Sequence, residues 1–438
     1  MRYRYRSDDE LKDSGVEWIG KIPKDWEVIR GKFLFDNKKI KNSGAMNNVL
    51  SLTLNGVIDR DINNFEGLQP ESFDGYQEFK KDNLVFKLID LENISTSRVG
   101  LVHRDGLMSP AYIRLEKKKD INVKYYYYNY FDYYKKNIFN FLGSVGVRSA
   151  LNSSDLLEME VLNLEKQEQE KIANFLEEKT SQFDLIISKK ERLIERLEEA
   201  KKSLISEVVT GKVKVVKTND GYELVKRSNE EMKDSGVEWI GEIPKDWEVK
   251  PLYTNFIENK LKNKDNLENN VLSLSYGKIK RRDIESNLGL LPETFSNYQI
   301  VNSGDLIFRL TDLQNDKKSL RVGLVKERGI ITSAYIGLKI MTGIEPYFYY
   351  LFHFYDLKKL YYNLGAGVRQ SMTFADLKKI PYIKPHINEQ NEIANYLDFI
   401  MNKYDNIINK NKLHIEKLKE AKQSLISEAV TGKIEILD

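Results

Sequence analysis

The chain has 438 residues, 41% of them hydrophobic and 31% charged, and its formal net charge is +3. This composition is typical of a globular protein and excludes a disordered or fibrous one, while so small a net charge does not by itself indicate a nucleic-acid-binding protein. The lack of cysteine excludes disulfides and thiolate sites, and because no apolar run could span a membrane and no signal peptide is evident, we expect a cytoplasmic protein.

A segment near the N-terminus occurs a second time, almost unchanged. Lys12–Val28 is KDSGVEWIGKIPKDWEV and Lys233–Val249 is KDSGVEWIGEIPKDWEV, so only Lys21 and Glu242 differ. We call these two stretches the opening segments. A further segment, AKKSLISEVVTGK, recurs as AKQSLISEAVTGK at the same offset of 221 residues. The chain is therefore one unit written twice, which predicts two domains.

Each opening segment carries two tryptophans. Near identity between two otherwise diverged copies indicates that both make the same contact, for example with two copies of one partner subunit. The alternative is that each segment is simply the first packed segment of its domain. The candidates for docking a partner are Trp18, Trp26, Trp239 and Trp247.

Short apolar or alternating runs, broken by glycine, proline, asparagine and aspartate, follow each opening segment and predict strands. In the first copy they include VLSLTL at 49–54, NLVFKLI at 83–89 and RVGLV at 98–102, and the second copy has VLSLSY, DLIFRLT and RVGLV at the matching places. We therefore predict an α+β fold with two globular domains, residues 1–164 and 233–385.

Two dense aromatic runs, at 125–141 and 347–362, have a helical periodicity that favours packed helices over base-stacking surfaces. Each is followed by a glycine loop ending in arginine, where backbone amides could approach a phosphate, although a simple surface turn fits equally well. Other charged and amide residues recur at or after predicted strands, where they could contact bases or close turns. The candidates for contacting DNA are Arg60, Lys87, Asp90, Asn93, Arg148, Lys280, Arg281, Arg282, Arg309, Asp312, Asn315 and Arg369.

Residues 165–211 and 386–432 predict two long helices, each ended by a glycine, with a polar connector at 212–232 between the copies. Apolar residues at alternating spacings of three and four predict a coiled-coil seam, and polar interruptions would specify its register. Such a helix measures roughly 65 Å, longer than one domain is wide, which favours pairing of the two helices over packing along one domain. The apolar seam residues are Ile187, Ile194, Leu197, Leu204, Val208, Ile408, Ile415, Leu418, Leu425 and Ala429, and the interruptions are Lys190, Lys201, Asn411 and Lys422.

Signatures of catalysis are absent from the sequence. It has no GxxxxGK[ST] phosphate loop, no GxGxxG after a strand, and no Asn or Asp before Pro-Pro-Tyr as an adenine methyltransferase would need. None of its four histidines is paired at metal-ligand spacing. Glu-x-Lys triplets that occur in nucleases lie on the predicted helices, where they indicate a solvated face. We therefore expect no catalytic residue, metal or cofactor in this chain.

The motifs taken together resemble the specificity subunits of type I restriction-modification systems. They are WIGxIPxxW opening each copy, GDLIF with TDLQND in the second copy, the two GVR loops, the EQxxI entry to each helix, and LISEVVTGK or LISEAVTGK at the close. The resemblance covers essentially the whole chain. The first copy departs from it, with KKDNLVF where the second has NSGDLIF and IDLENIS in place of TDLQND.

This resemblance implies a full-length, non-catalytic subunit with two target recognition domains, each recognising half of a bipartite site in double-stranded DNA. It implies that the long helices form an antiparallel coiled coil that separates the domains. The expected partners are two methyltransferase subunits and two restriction subunits, and S-adenosylmethionine, ATP and magnesium would be bound by those partners. Two other functions stay open: a scaffold that holds two copies of a partner without recognising DNA, and a self-sufficient nuclease.

Overall fold

The computed structural model divides the chain into two compact units. Unit 1 consists of Met1–Lys190 with Lys412–Asp438, and unit 2 is Glu191–Asn411. Both divisions fall within long helices, so each helix belongs partly to each unit. The structure describes residues 2–44, 46–61, 72–92, 96–143, 150–282, 292, 294–313, 320–364 and 371–437.

The described residues of the first copy form thirteen short strands and four helices, and three of the helices lie between the last two strands. The strands are β1 (Arg2–Tyr5), β2 (Leu11–Asp13), β3 (Lys21–Pro23), β4 (Glu27–Arg30), β5 (Phe35–Asp36), β6 (Leu50–Thr53), β7 (Gly56–Asp59), β8 (Gln77–Phe79), β9 (Leu84–Phe86), β10 (Val99–Leu101), β11 (Gly106–Met108), β12 (Ile113–Lys117) and β13 (Glu160–Asn163). The helices are α1 (Val123–Lys135), α2 (Ile138–Leu142), α3 (Ser153–Glu158) and α4 (Lys166–Val209).

A hairpin and the second copy follow. The hairpin is β14 (Val213–Thr218) and β15 (Gly221–Lys226). The strands of the second copy are β16 (Met232–Asp234), β17 (Glu242–Pro244), β18 (Glu248–Pro251), β19 (Phe256–Glu258), β20 (Leu272–Ser275), β21 (Lys278–Arg281), β22 (Gln299–Val301), β23 (Leu306–Phe308), β24 (Val322–Leu324), β25 (Gly329–Ile331), β26 (Ile336–Ile340), β27 (Pro381–Lys384) and β28 (Ile434–Leu437). Its helices are α5 (Glu345–Leu357), α6 (Leu360–Leu364), α7 (Phe374–Leu377) and α8 (Ile387–Val430).

The two units repeat one topology. A four-stranded sheet has the order β10-β9-β12-β5 in unit 1 and β24-β23-β26-β19 in unit 2. The polar connector between the copies is the antiparallel hairpin β14–β15, and in unit 1 the terminal strands β1 and β28 pair antiparallel in the corresponding place. Mixed helices and strands in two domains agree with the predicted α+β fold.

The central strand of each sheet separates two apolar cores. Leu84 and Phe86 of β9 belong to the main core of unit 1, whereas Val85 belongs to a smaller core beneath β6 and β7. In unit 2, Phe308 of β23 faces the main core and Ile307 the smaller one. Alternation along a strand sends neighbouring side chains to opposite faces, so one strand supports both cores.

The aromatic runs are core helices. In α1, Tyr125, Tyr126 and Tyr133 are at most 1% exposed, and their hydroxyls donate to backbone carbonyls at 2.9 to 3.1 Å. Buried tyrosines satisfy their hydroxyls in this way, which confirms the packed-helix interpretation of these runs.

Each long helix ends in the core of the unit built mainly from the other copy. Ile426 and Val430 of α8 lie in the main core of unit 1, and Ile205 and Val209 of α4 lie in that of unit 2. Every predicted seam residue is buried or half-buried. Leu185, outside the predicted seam, is 56% exposed.

Two contacts within unit 1 give the relative direction of the helix segments there. Lys422 of α8 donates to Asp184 of α4 at 2.7 Å, and Lys190 of α4 lies 3.4 Å from the ring nitrogen of His414 of α8. As the position advances along α4, its partner moves back along α8, so these segments are antiparallel. Throughout the described ranges, no helix is both long enough and apolar enough to cross a membrane.

Candidate nucleic-acid interface

A hairpin covers the smaller core of each unit and presents its second strand to solvent. Leu50 and Leu52 of β6 and Leu272 and Leu274 of β20 point into these cores and are at most 7% exposed. The alternate residues of the hairpins point outward. The sequence thus places the outward side chains of β7 and β21 on rigid supports, where recognition residues are held most accurately.

The two hairpins differ in charge. The second hairpin carries Lys278, Lys280, Arg281 and, directly after it, Arg282, whereas the first has Arg60 as its only cation at the aligned places. Lys280 and Arg281 are exposed, and Arg60 and Arg282 are half-buried. Adjacent cations attract phosphates, so the second hairpin is the more basic candidate surface.

One ion pair beside each hairpin occurs in both units with its charges inverted. In unit 1, Arg104 donates through Nε to Asp59 at 2.7 Å. At the aligned places in unit 2, Arg281 donates through Nε to Glu327 at 2.8 Å. Both units therefore have an ion pair at this place, but the hairpin residue is acidic in unit 1 (Asp59) and basic in unit 2 (Arg281). The two surfaces therefore present different charges at equivalent places.

Lys278, which the sequence analysis did not select, anchors the second hairpin. Its ammonium donates to Asp405 of α8 at 2.8 Å, and Lys201 of α4 donates to the other oxygen of Asp405 at 2.5 Å. Tyr349 of α5 donates to the carbonyl of Gly277 at 3.2 Å. Burial would raise the pKa of Asp405, but the two lysines outweigh it and hold the pKa below its usual value.

A second candidate surface follows the central strands β9 and β23. Asp90 and Asp312 have left-handed backbones, with φ of +53° and +55°, and lie three residues after the half-buried Lys87 and Arg309. Non-glycine residues seldom adopt this conformation, and they cluster at functional sites. The same turn in both units therefore indicates a common way of presenting these side chains.

Two buried arginines that the sequence analysis passed over support these turns. Arg98, 1% exposed, donates to the carbonyl of Asp90 at 2.9 Å, and burial lowers the pKa of Arg98. Arg321, fully buried, donates to the carbonyl of Thr311 at 3.2 Å and lies over the Tyr362 ring. Both arginines belong to the RVGLV motif. The repetition of this motif in the two copies was the sequence feature that could have indicated their structural role. Asn93, Arg148, Asn315 and Arg369 lie outside the described residues.

Trp26 and Trp247 lie inside their own domains. They are 1% and 0% exposed, and each indole Nε1 donates to a glutamate in the first turn of a long helix, Glu168 at 3.0 Å and Glu389 at 2.8 Å. Solvent does not reach these indoles, so the structure corrects their assignment as direct docking residues. Trp18 and Trp239 are half-buried.

The same glutamates bind an arginine that reaches the end of the other long helix. Arg6 donates to Glu168 at 3.2 Å and to the carbonyl of Gly432 at 2.9 Å. Arg227 donates to Glu389 and, at 2.7 Å, to the carbonyl of Gly211. We call these clusters the junctions: Arg6, Trp26, Glu168 and Gly432 in unit 1, and Arg227, Trp247, Glu389 and Gly211 in unit 2.

The terminal glycines are required at the junctions. Gly211 has φ of +72° and Gly432 of +69°, and a Cβ on either would lie 2.5 Å from a proline of an opening segment, Pro244 or Pro23. A side chain would therefore be strained by its backbone and would also clash. The opening segment, the EQ motif and the closing TGK motif meet at one point, which explains why all three are repeated.

Within the described ranges, no group of His, Asp and Glu side chains is arranged to hold a metal ion. The candidate surfaces instead combine exposed cations, carboxylate residues after strand ends, and buried supports. This arrangement can bind phosphates and base edges.

Comparisons with known proteins support this interpretation. Residues 244–417 match the family model described as "Type I restriction modification DNA specificity domain". The putative type I restriction enzyme MjaX specificity subunit of Methanocaldococcus jannaschii is 24% identical over 439 residues, covering 95% of this chain and 96% of that protein. The type I restriction enzyme MjaVIII specificity subunit of the same organism is 25% identical, covering 95% and 94%.

A solved structure has a similar fold. A chain from the work "Structural basis underlying complex assembly and conformational transition of the type I R-M system" aligns with a TM-score of 0.64 and 11% identity, covering 94% of this chain and 99% of that one. At this identity the likeness concerns the fold.

Proposed function

This chain belongs to the specificity subunits of type I restriction-modification systems, and from that premise we propose that it recognises a bipartite DNA target with one half-site per unit. The observation that carries the proposal is the charge-inverted pair, Asp59–Arg104 against Arg281–Glu327. Two equivalent frameworks with different outward charges are what two different half-sites require. DNA recognition as such follows from the family.

We infer that the long helices form an antiparallel coiled coil that sets the distance between half-sites. The buried or half-buried seam residues and the paired interruptions support this. An antiparallel pair would relate the two copies by an approximate twofold axis, so that equivalent surfaces meet opposite DNA strands.

The chain would act without catalysis of its own. We propose that it holds two methyltransferase subunits, and through them two restriction subunits, in a cytoplasmic complex. S-adenosylmethionine, ATP and magnesium would bind to those partners. Each copy carries one nearly identical opening segment, which supports a count of two.

Mapping N6-methyladenine genome-wide with and without this gene tests the proposal. We expect an asymmetric bipartite motif to lose its methylation on deletion. The control is deletion of the partner methyltransferase gene, which should abolish methylation at the same motif. If the methyltransferase is active and deletion of this gene removes no motif, the chain is a scaffold and the DNA-recognition proposal is wrong.

A further inference from the structure

The two opening segments expose the same residues to solvent. Position by position, all seventeen residues of Lys12–Val28 fall in the same burial class as their counterparts in Lys233–Val249. The buried positions are explained by the junctions and the cores. The exposed positions of the first segment are Lys12, Asp13, Gly15, Glu17, Lys21, Lys24, Asp25 and Glu27.

The residues at these exposed positions are nearly the same in the two opening segments. Seven of the eight are identical in the two segments, and the exception is Lys21 against Glu242. On α4, by contrast, twenty positions are exposed and only seven of them carry the same residue in α8. Exposed residues away from functional contacts tolerate change, with effects usually within about 0.5 kcal/mol. Their retention in the opening segments therefore indicates a constraint from outside the fold.

Local structure accounts for some of this retention. The side chain of Asp13 accepts from the backbone of Gly15 at 2.9 Å, and Gly15 has φ of +74°, so both residues are needed for the turn. Glu17 and Glu238 are different. Both are exposed, and across the described part of the chain neither side chain has a hydrogen bond or ion pair. Folding does not explain why both are glutamate.

The retained face is acidic. Its charged residues, shared by both segments, are Lys12, Asp13, Glu17, Lys24, Asp25 and Glu27 in the first copy, four acidic against two basic. DNA phosphates would be repelled by such a face, whereas a basic protein surface would be attracted. An identical face in each unit fits two copies of one partner.

We propose that the exposed face of each opening segment, centred on Glu17 and Glu238, docks one methyltransferase subunit through basic residues of that subunit. This inference rests on the proposed function and adds the surface and its chemistry. Lys21 and Glu242 lie outside the contact, because the partner accepts either charge there.

The test is co-expression of the full chain with the methyltransferase subunit of its own system, followed by native mass spectrometry. The wild type should carry two methyltransferase subunits. Glu17→Lys or Glu238→Lys alone should leave one, and the double variant should leave none. Glu242→Lys is the matched control, since it reverses the same charge four residues from Glu238 and installs the residue found in the first copy. It should retain two subunits.

Circular dichroism establishes that each variant is folded. If a lysine variant unfolds, Glu17→Ala and Glu238→Ala replace it, and each should weaken methyltransferase binding at its own unit by roughly tenfold. Two subunits bound to a folded Glu17→Lys, Glu238→Lys double variant would overturn the inference, as would equal loss in Glu242→Lys. A wild-type chain that binds no methyltransferase would instead count against the proposed function.

Discussion

Lys422 of α8 donates to Asp184 of α4 at 2.7 Å within unit 1, across 238 residues of sequence. Its counterpart in unit 2 joins Lys201 of α4 to Asp405 of α8. Two of the three lysines that interrupt the predicted seam, Lys422 and Lys201, are therefore each paired with an aspartate on the opposite helix. Polar pairs of this kind favour one register, because a shifted helix would leave them without partners.

Replacing Asp405 should destabilise the protein more than replacing Asp184, because Asp405 also binds Lys278 of the second hairpin. We expect Asp405→Asn to raise hydrogen exchange in β20 and β21 and to destabilise unit 2 by about 1–2 kcal/mol. The side chain of Asp184 is 62% exposed. We therefore expect Asp184→Asn to reduce the free energy of unfolding by less than about 1 kcal/mol and to leave hydrogen exchange in β6 and β7 unchanged. Equal effects on the two hairpins would contradict the anchoring role of Lys278.

We expect substitutions of the junction glutamates to lower stability to different degrees in the two units. The side chains of Glu389 and Arg227 are 13% and 8% exposed, against 29% and 11% for Glu168 and Arg6. Glu389→Ala removes the ion pair of a buried arginine and the hydrogen-bond acceptor of a buried indole, so we expect it to cost about 3 kcal/mol, and Glu168→Ala about 1–2 kcal/mol. Hydrogen exchange of β18 and β4 measures each. Exposed Glu416→Ala on α8 is the control and should change neither.

Lys280 is exposed beside Arg281 on the second hairpin, and we expect it to contact a DNA phosphate. In the assembled complex, Lys280→Ala should weaken DNA binding and reduce the slope of log K against log salt by about 0.9. Binding measured between low and moderate salt gives this slope. Exposed Lys217→Ala on β14 is the matched control, and an unchanged slope for Lys280→Ala would remove this hairpin from the interface.

His353 predicts a pH dependence in unit 2. Burial, helped by the charge of Lys201, lowers the pKa of His353 to about 4. In the unfolded chain the ring takes a proton near its ordinary pKa of about 6.5, so lowering the pH favours unfolding. The free energy of unfolding should fall by about 1–2 kcal/mol from this residue between pH 7 and pH 5.

Phe131 stands at the place of His353 in unit 1, where it packs on Tyr127 as His353 packs on Tyr349. His353→Phe should therefore fold and lose that part of the pH dependence. Urea unfolding of the wild type and the variant at both pH values measures it. An unchanged pH dependence in the variant would assign the effect to other groups.

If the long helices set the distance between the two half-sites, their length should determine the length of the spacer in the DNA target. Inserting one turn, about 5.4 Å, into both α4 and α8 should lengthen the spacer of the methylated motif by between about one and two base pairs. Methylation mapping with the variant gives the new spacer. Insertion into α4 alone is the control and should disrupt assembly, because the paired residues no longer match. An active complex with an unchanged spacer would exclude this role for the helices.

Much of the architecture was predictable from the sequence, because it depends on local patterns. The repeat gives two copies, alternation gives strands such as β9, and periodicity with terminal glycines gives helices such as α4 and α8. The seam residues were likewise predicted from spacings of three and four. Such signals arise between residues close in sequence, and no long-range contact is needed to interpret them.

The contacts that give those residues their roles were decided only by the tertiary structure. Trp26 was expected at a partner surface but donates to Glu168, 142 residues away, and the junction is completed by Gly432 at the far end of the chain. Nothing in the sequence distinguishes Lys278 from the neighbouring lysines. Its role follows from the contact with Asp405, which lies 127 residues later in the chain. The sequence by itself determined two diverged copies joined by long helices. Only folding decided which repeated residues are structural and which, like Glu17, are left for a partner, because burial and pairing depend on groups that meet from distant parts of the chain.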